Sequence, residues 1–207
     1  MSDFLIRRDD LRDVKWADAP AAPLADGCAR LKVGAFALTA NNVTYATFGD
    51  AMKYWDFFPA ADPAYGRVPV WGFATVTDSH HPQIAAGERI YGYWPIADEV
   101  VLTPGAVTAR QFSDVSAHRD GLPQVYNNYM RVAADRHYQP EREPIRAVFD
   151  PLAGTSYGVA HKLRADGYHG ARRVLVTSAS SKTGFSIGLY LREFGDDIEV
   201  VGLTSAR

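Results

Sequence analysis

Apolar and polar positions change period along the chain, and the changes mark its elements. Residues 30–38 alternate, with Leu31, Val33 and Ala35 on one side, the period of two that predicts a half-buried strand. Ahead of it an apolar start at Phe4 gives way to a mixed stretch, and Pro20 and Pro23 predict a loop before Gly27. Residues 68–77 predict another strand, with His80-His81-Pro82 as its exit. Ile90 to Tyr93 follows a turn at Gly87, and residues 98–102 form a short strand stopped by Pro104-Gly105. Several short strands with regular punctuation predict an antiparallel barrel or sandwich. Tyr45, Phe48, Tyr54, Trp55, Phe57 and Phe58 crowd into residues 42–58 around a predicted turn at Gly49-Asp50, a segment expected to cover a cavity or the core. Residues 111–143 are polar and irregular. They carry Tyr126-Asn127-Asn128-Tyr129 and predict a linker that is functional or covers a site.

Near Pro144 the period becomes helical. Ile145, Val148, Phe149 and Leu152, then Tyr157, Val159, Ala160 and Leu163, predict two helical segments separated near Gly154. Residues 172–177 predict a strand, 182–194 a helix with Ile187, Leu191 and Phe194 on one face, and 198–203 a second strand. Strand, helix and strand in so short a span predict a βαβ unit with a right-handed crossover. The expected organisation is a mainly β domain over residues 1–143 and an α/β portion over residues 144–207.

Composition narrows the function classes. With 47% apolar and 22% charged residues the chain has enough apolar material for a packed core. Its 22 basic against 24 acidic residues give a net charge of -2, and no basic run offers a nucleic-acid footprint. Apolar runs fall short of a membrane span and the N-terminus has no signal-like stretch, so the expected compartment is the cytoplasm. The single cysteine, Cys28, excludes an internal disulfide and any site built on two thiolates.

The turn after the strand at 172–177 reads Thr177-Ser178-Ala179-Ser180-Ser181-Lys182-Thr183-Gly184. A dinucleotide-binding βαβ unit needs small residues here, because backbone N–H groups and the helix N-terminus must approach a pyrophosphate. Gly184 allows close helix–strand packing, and the hydroxyls of Ser178, Ser180, Ser181 and Thr183 are potential donors. Lys182 sits where a helix dipole disfavours a cation unless an anion is bound. A serine-rich turn with a solvated lysine has the same pattern, so context must decide. An NAD enzyme places an acid near the end of the second strand. This chain instead has Thr204, Ser205 and Arg207, two hydroxyls and a guanidinium that suit a 2′-phosphate. NADP(H) is therefore the expected cofactor.

Five segments in order resemble the medium-chain dehydrogenase/reductase superfamily. Leu31-Lys32-Val33 through Ala40-Asn41-Asn42 resembles the strand entering the active-site loop, and Trp71-Gly72-Phe73-Ala74-Thr75-Val76 the strand bearing the Gly-His-Glu motif of zinc alcohol dehydrogenases. Gly87-Glu88-Arg89-Ile90-Tyr91-Gly92 resembles Gly-Asp-Arg-Val. Leu152-Ala153-Gly154-Thr155-Ser156-Tyr157 resembles the helix before the cofactor domain, and Arg173-Val174-Leu175-Val176 its first strand. The resemblance implies a GroES-like β-barrel catalytic domain followed by the first βαβ unit of a Rossmann domain. It also implies a polypeptide that continues beyond these residues. Two departures stand out: Ser178, Ser181 and Gly184 occupy the places of three family glycines, and Tyr45 and Phe73 fall where the zinc enzymes place a cysteine and a histidine. The second departure predicts no bound metal.

Without a metal, Tyr45 is the candidate proton donor and Asn42 the candidate for orienting substrate or nicotinamide ribose; Tyr45 reads equally well as a core tyrosine. Tyr54, Trp55, Tyr126 and Tyr129 are candidates to line a flat apolar pocket, or are simply core. The resemblance implies a zinc-independent, NADPH-dependent reductase of a quinone, enone or enoyl substrate, acting on a polarised C=C or C=O bond. Rival readings are a non-catalytic protein keeping the fold for cofactor sensing or assembly, and an acyl-processing module of a larger synthase. A small molecule is the expected partner, with a homodimer as the candidate assembly.

Overall fold

The computed structural model describes residues 2–18 and 23–205. In chain order the first elements are β1 (Ser2–Arg7), β2 (Val14–Asp18), β3 (Ala29–Ala37), α1 (Ala40–Thr47), β4 (Tyr65–Gly66), β5 (Pro69–Ser79) and β6 (Arg89–Pro95). They are followed by β7 (Glu99–Leu102), β8 (Pro104–Gly105), β9 (Gln111–Asp114), β10 (Asn128–Arg131), α2 (Glu143–Ala165), β11 (Arg173–Val176), α3 (Lys182–Glu193) and β12 (Glu199–Gly202). Residue contacts divide the chain into two units, residues 1–147 and residues 148–207.

In the first unit, β7, β3, β5, β6, β10, β9 and β8 form in that order a seven-stranded antiparallel sheet, the nearly closed barrel of a GroES-like domain. A small sheet, β2-β1-β4, stands beside it. Alternation is clear at the start of β3, whereas β5 and β6 are buried on both faces. In β3, Ala29 and Leu31 are fully buried while Arg30 and Lys32 are not. Leu31, Val70, Ala74, Ile90, Trp94, Leu102, Phe112 and Tyr129 meet in one core, and each large side chain so buried contributes about 1.5–3 kcal/mol. Register shifts between Arg30 and Leu31 and between Val33 and Phe36 bend β3 across β5. At Gly72 a Cβ would stand 2.4 Å from the Ala35 carbonyl oxygen, so this crossing of strands requires glycine.

Residues 111–143, expected to be an irregular linker, instead contain β9 and β10, two strands of the barrel sheet. The strands are only four residues long, too short for a periodic signal, and they are separated by 3-10 turns. Phe112 and Tyr129 are register partners, stack at 5.4 Å and are both fully buried. The two helical segments expected around Gly154 are one helix, α2, running through Pro151. Proline there removes a single N–H bond, and Gly154 takes no left-handed conformation, so neither ends the helix.

In the second unit, β11 and β12 pair in parallel from Arg173↔Glu199 to Val176↔Gly202, with α3 as the crossover. Ala160 and Leu191 are buried against Tyr168, with Val174, Ile187 and Val200 around them. Strand, helix and strand are those expected of the opening βαβ unit of a Rossmann domain.

Candidate functional site

Aromatic side chains from three parts of the first unit converge. Tyr45 lies on α1, Tyr54 and Phe57 on the following 3-10 turn, Trp71 on β5, Tyr93 on β6, and Tyr126 on the 3-10 turn before β10. Ring centroids are 4.7 Å apart for Tyr45 and Tyr54, 4.8 Å for Tyr93 and Tyr126, and 5.6 Å for Tyr45 and Tyr93. Tilted and edge-to-face pairs at such spacings are favourable for aromatic quadrupoles. The cluster is polar as well as aromatic, because it gathers four phenols. Tyr54 and Tyr126 hydroxyls approach to 3.5 Å, whereas the buried Tyr93 hydroxyl has no well-formed hydrogen bond. Burial pushes the Tyr45 phenol above its ordinary value, against the opposing pull of Trp71 and Tyr93, and burial likewise raises Tyr93 and Tyr126. All three phenols therefore keep their protons at neutral pH.

Arg119 underpins this cluster and was not among the residues singled out from the sequence. Its guanidinium is almost wholly buried, 3.3 Å from the equally buried Asp114 carboxylate. It donates to Asn127 Oδ1 at 2.9 Å and to the Tyr129 hydroxyl at 3.3 Å, and lies over the rings of Phe57 and Phe58. Asp114 in turn accepts from the backbone N–H groups of Thr103 and Ser116 and from the Ser116 hydroxyl. A buried charge must be paired in this way to be tolerable. The network holds the 3-10 turn at Ala117–Arg119 beside the one at Tyr54–Phe57; His118 Nε2 lies 3.3 Å from the Phe57 carbonyl oxygen.

The structure brings together Tyr45, Tyr54 and Tyr126, but not the other pocket candidates. Tyr129 is fully buried in the barrel core, donating its hydroxyl proton to the Tyr93 carbonyl at 3.1 Å. Trp55 is buried between Gly49 and Gly66, where a Cβ on either glycine would overlap the indole, and it packs with Ala46 and Val68. Both belong to other packed cores, Tyr129 to the barrel core and Trp55 to the one with Ala46 and Val68. Asn42 is committed to the backbone. Its Oδ1 accepts from the Thr39 N–H at 2.6 Å and its Nδ2 donates to the Pro69 carbonyl at 2.8 Å. With the Thr39 hydroxyl accepting from the Asn41 N–H, it closes a capping box on α1. Phe73 is fully buried with Tyr91, Val132 and Ala147, and His81 Nδ1 accepts from the Gln83 N–H in an exposed loop. Among the described residues no group of three or more His, Cys, Asp or Glu could hold a metal ion.

In the second unit the turn between β11 and α3 is tightly built. Ser181 is the N-cap, its hydroxyl oxygen accepting from the Gly184 N–H at 3.0 Å. The Ser181 N–H donates to the Ser178 carbonyl, and the Ala179 N–H to the Leu203 carbonyl. A Cβ at Gly184 would stand 2.7 Å from the Ser178 oxygen, so the third family glycine is sterically required. Ser178 sits at φ 50, the left-handed region glycine occupies at less cost, whereas Ser181 at φ -69 needs no such freedom. The backbone N–H groups of Lys182 and Thr183 make no intramolecular bond among the described residues. They remain open at the helix N-terminus, where an anionic group fits. Ser180 and Thr204 hydroxyls meet at 2.8 Å, joining the turn to the end of β12, and Ser205 is exposed beside them. Arg207 lies outside the described residues.

No curated protein matches the sequence. Solved structures match its fold. A quinone oxidoreductase of Pseudomonas syringae pv. Tomato DC3000 shares 12% identity over 99% of this chain and 53% of its own, with a TM-score of 0.54. CurA of Vibrio vulnificus in complex with NADPH shares 12% identity over 98% and 51%, with a TM-score of 0.59. The CurF ER cyclopropanase of the curacin A biosynthetic pathway shares 15% over 99% and 54%, with a TM-score of 0.61. The chain thus spans about half the length of each. Such identities establish the fold alone. A family model described as "Protein of unknown function (DUF2855)" matches residues 36–207.

Proposed function

Since the chain belongs to the DUF2855 family, we propose from its residues that it forms part of a zinc-independent, NADPH-dependent reductase of a polarised C=C or C=O bond, with a quinone, enone or enoyl substrate. The phenol cluster carries this reading: Tyr45, Tyr54, Tyr93 and Tyr126 converge, burial keeps Tyr45, Tyr93 and Tyr126 protonated at neutral pH, and the Tyr93 hydroxyl is left unsatisfied. Such phenol donors suit a flat conjugated substrate whose oxygen gains negative charge during reduction. Tyr45 supplies the proton or hydrogen bond to that oxygen. NADPH, when bound, supplies a hydride from C4 of its nicotinamide. Its pyrophosphate is assigned to the open N–H groups of Lys182 and Thr183, with Gly184 keeping the turn close and Ser178, Ser180 and Ser181 shaping it. Thr204, Ser205 and Arg207 are assigned to the 2′-phosphate, which favours NADPH over NADH. Small-molecule reduction in the cytoplasm is the role this implies.

The test is NADPH oxidation by the full-length protein with quinones, enones, enoyl thioesters and aldehydes, with metal content measured on the same preparation. Turnover with less than stoichiometric zinc is expected. NADPH binding without turnover across the panel would favour a cofactor sensor, and zinc-dependent turnover would overturn the metal-free reading.

A further inference from the structure

A cavity of about 230 Å³ opens in the first unit where the chain leaves β10, with walls from Arg110, the end of β10 and the turn that follows. Three guanidinium groups line it, those of Arg110, Arg131 and Arg136, against one carboxylate, Asp135. Two of these charges are already neutralised. Arg131 donates from Nε and a terminal nitrogen to Glu88 at 2.8 Å each, and from its other terminal nitrogen to the Thr108 carbonyl at 3.0 Å. Asp135 pairs with Arg146 at 2.8 Å, and its second oxygen accepts from the His137 N–H at 2.9 Å. Arg110 and Arg136 are left over. Both side chains are exposed, and among the described residues neither has a hydrogen bond or an ion pair.

The roots of these two side chains are fixed although their ends are free. The Arg110 N–H donates to the Thr108 hydroxyl, and its carbonyl accepts from the Arg131 N–H at 2.8 Å. Arg136 stands between Asp135, whose N–H closes a 3-10 turn on Val132, and His137, which the Asp135 carboxylate holds. Two cations anchored around one concavity repel each other, and its low-dielectric walls concentrate their field. An anion in the cavity turns that repulsion into attraction. A guanidinium fork matches phosphate oxygens bidentately, and two unpaired guanidiniums balance the charge of a phosphate monoester. The volume lies below the roughly 300–1,000 Å³ of sites that enclose a drug-sized ligand, so it suits a phosphoryl group with a few further atoms. Met130, 46% exposed, and Ala134 give it an apolar wall for the carbon beside the phosphate.

We propose that Arg110 and Arg136 form a binding site for a phosphoryl group, carried by a small phosphate monoester or present as free phosphate. His137 lines the same cavity and adds its ring N–H groups to the donor set. The site lies within residues 110–137 of the first unit. It shares no residue with the phenol cluster or with the groups assigned to NADPH, and it does not rest on the reductase reading.

Calorimetric titration of the full-length protein tests the site, with glycerol 3-phosphate, inorganic phosphate and glycerol as probes at constant ionic strength. NADPH is kept present so that the turn before α3 does not compete for phosphate. Both phosphates should bind and glycerol should not. Arg110→Gln combined with Arg136→Gln should weaken phosphate binding at least about tenfold, since each removes a hydrogen bond to a charged group. Arg12→Gln combined with Arg142→Gln removes the same charge at exposed positions outside the cavity and should leave binding nearly unchanged. Denaturant midpoints equal to that of the wild type show that the variants fold. Tighter binding of glycerol 3-phosphate assigns the site to an ester, and tighter binding of inorganic phosphate to the free ion. Absence of phosphate binding in the wild type, or equal weakening by the two double variants, would overturn the site.

Discussion

Tyr45 is where a single atom decides between chemistry and packing. Its phenol is buried and raised in pKa, and its ring contacts Tyr54, Tyr93 and Tyr126. Phenylalanine would keep those contacts and remove only the hydroxyl. Under the proposed reduction, Tyr45→Phe should lower kcat by about 10²–10⁴-fold with little change in KM, since the hydrogen bond strengthens only as charge develops. Steady-state rates of NADPH oxidation decide it; an unchanged kcat in a folded variant would leave Tyr45 with packing alone. The aromatic positions were legible in the sequence because tyrosines and tryptophans crowd residues 42–58. What the composition of that segment hides is direction: Trp55, next to Tyr54, turns to Gly49 and Gly66 instead. Asn42 carried a readable signal, Thr39 three residues before it, the spacing of a capping box. Arg119 carried none. Its partners Asp114, Asn127 and Tyr129 come together only when β9 and β10 pair.

At the level of elements, legibility followed length and repetition. The long strands β3 and β5 and the β11-α3-β12 unit stand where the sequence pattern placed them. The four-residue strands β9 and β10 were hidden, since two buried positions in one and a single one in the other cannot establish a period, and Gly154 suggested a break that α2 does not have. The turn before α3 gives an element-scale prediction. Ser181→Ala removes the N-cap acceptor of the Gly184 N–H and should cost about 0.5–2 kcal/mol. Gly184→Ala drives a methyl group against the Ser178 carbonyl and should cost about 1–3 kcal/mol. Under the proposed cofactor assignment both should also weaken NADPH binding, because the same backbone presents the open N–H groups. Denaturant titration and cofactor binding of the full-length variants are the measurements. A neutral Gly184→Ala would show that the turn does not pack this closely.

Across the whole first unit, the ion pair of Arg89 on β6 with Glu143 joins the barrel sheet to the segment that ends the unit. Arg89 Nε donates to Glu143 Oε1 at 2.8 Å and a terminal nitrogen to Oε2 at 2.5 Å, while the Tyr138 hydroxyl donates to Oε1 at 2.6 Å. Burial alone would raise the Glu143 pKa, but the hydrogen bonds from Arg89 and Tyr138 outweigh it and hold the carboxyl below its usual range. Asp135 is held low too, by the His137 N–H and Arg146 against a smaller burial effect. A carboxylate whose folded pKa is depressed contributes stability that is fully present above its unfolded value. That stability is lost as pH falls through the folded value. The protein should therefore lose stability progressively below about pH 4.5, where protonation of Glu143 removes the charge Arg89 requires. Glu143→Gln should destabilise by about 1.5–3 kcal/mol near neutrality, the usual size of a hydrogen bond to a charged group. It should also flatten the fall between roughly pH 5 and 3, because the variant has no proton to take up at that position. Unfolding free energies measured for both proteins across this range test the assignment. Parallel curves, offset by a constant amount, would mean that Glu143 does not titrate with folding and that the acid sensitivity arises elsewhere.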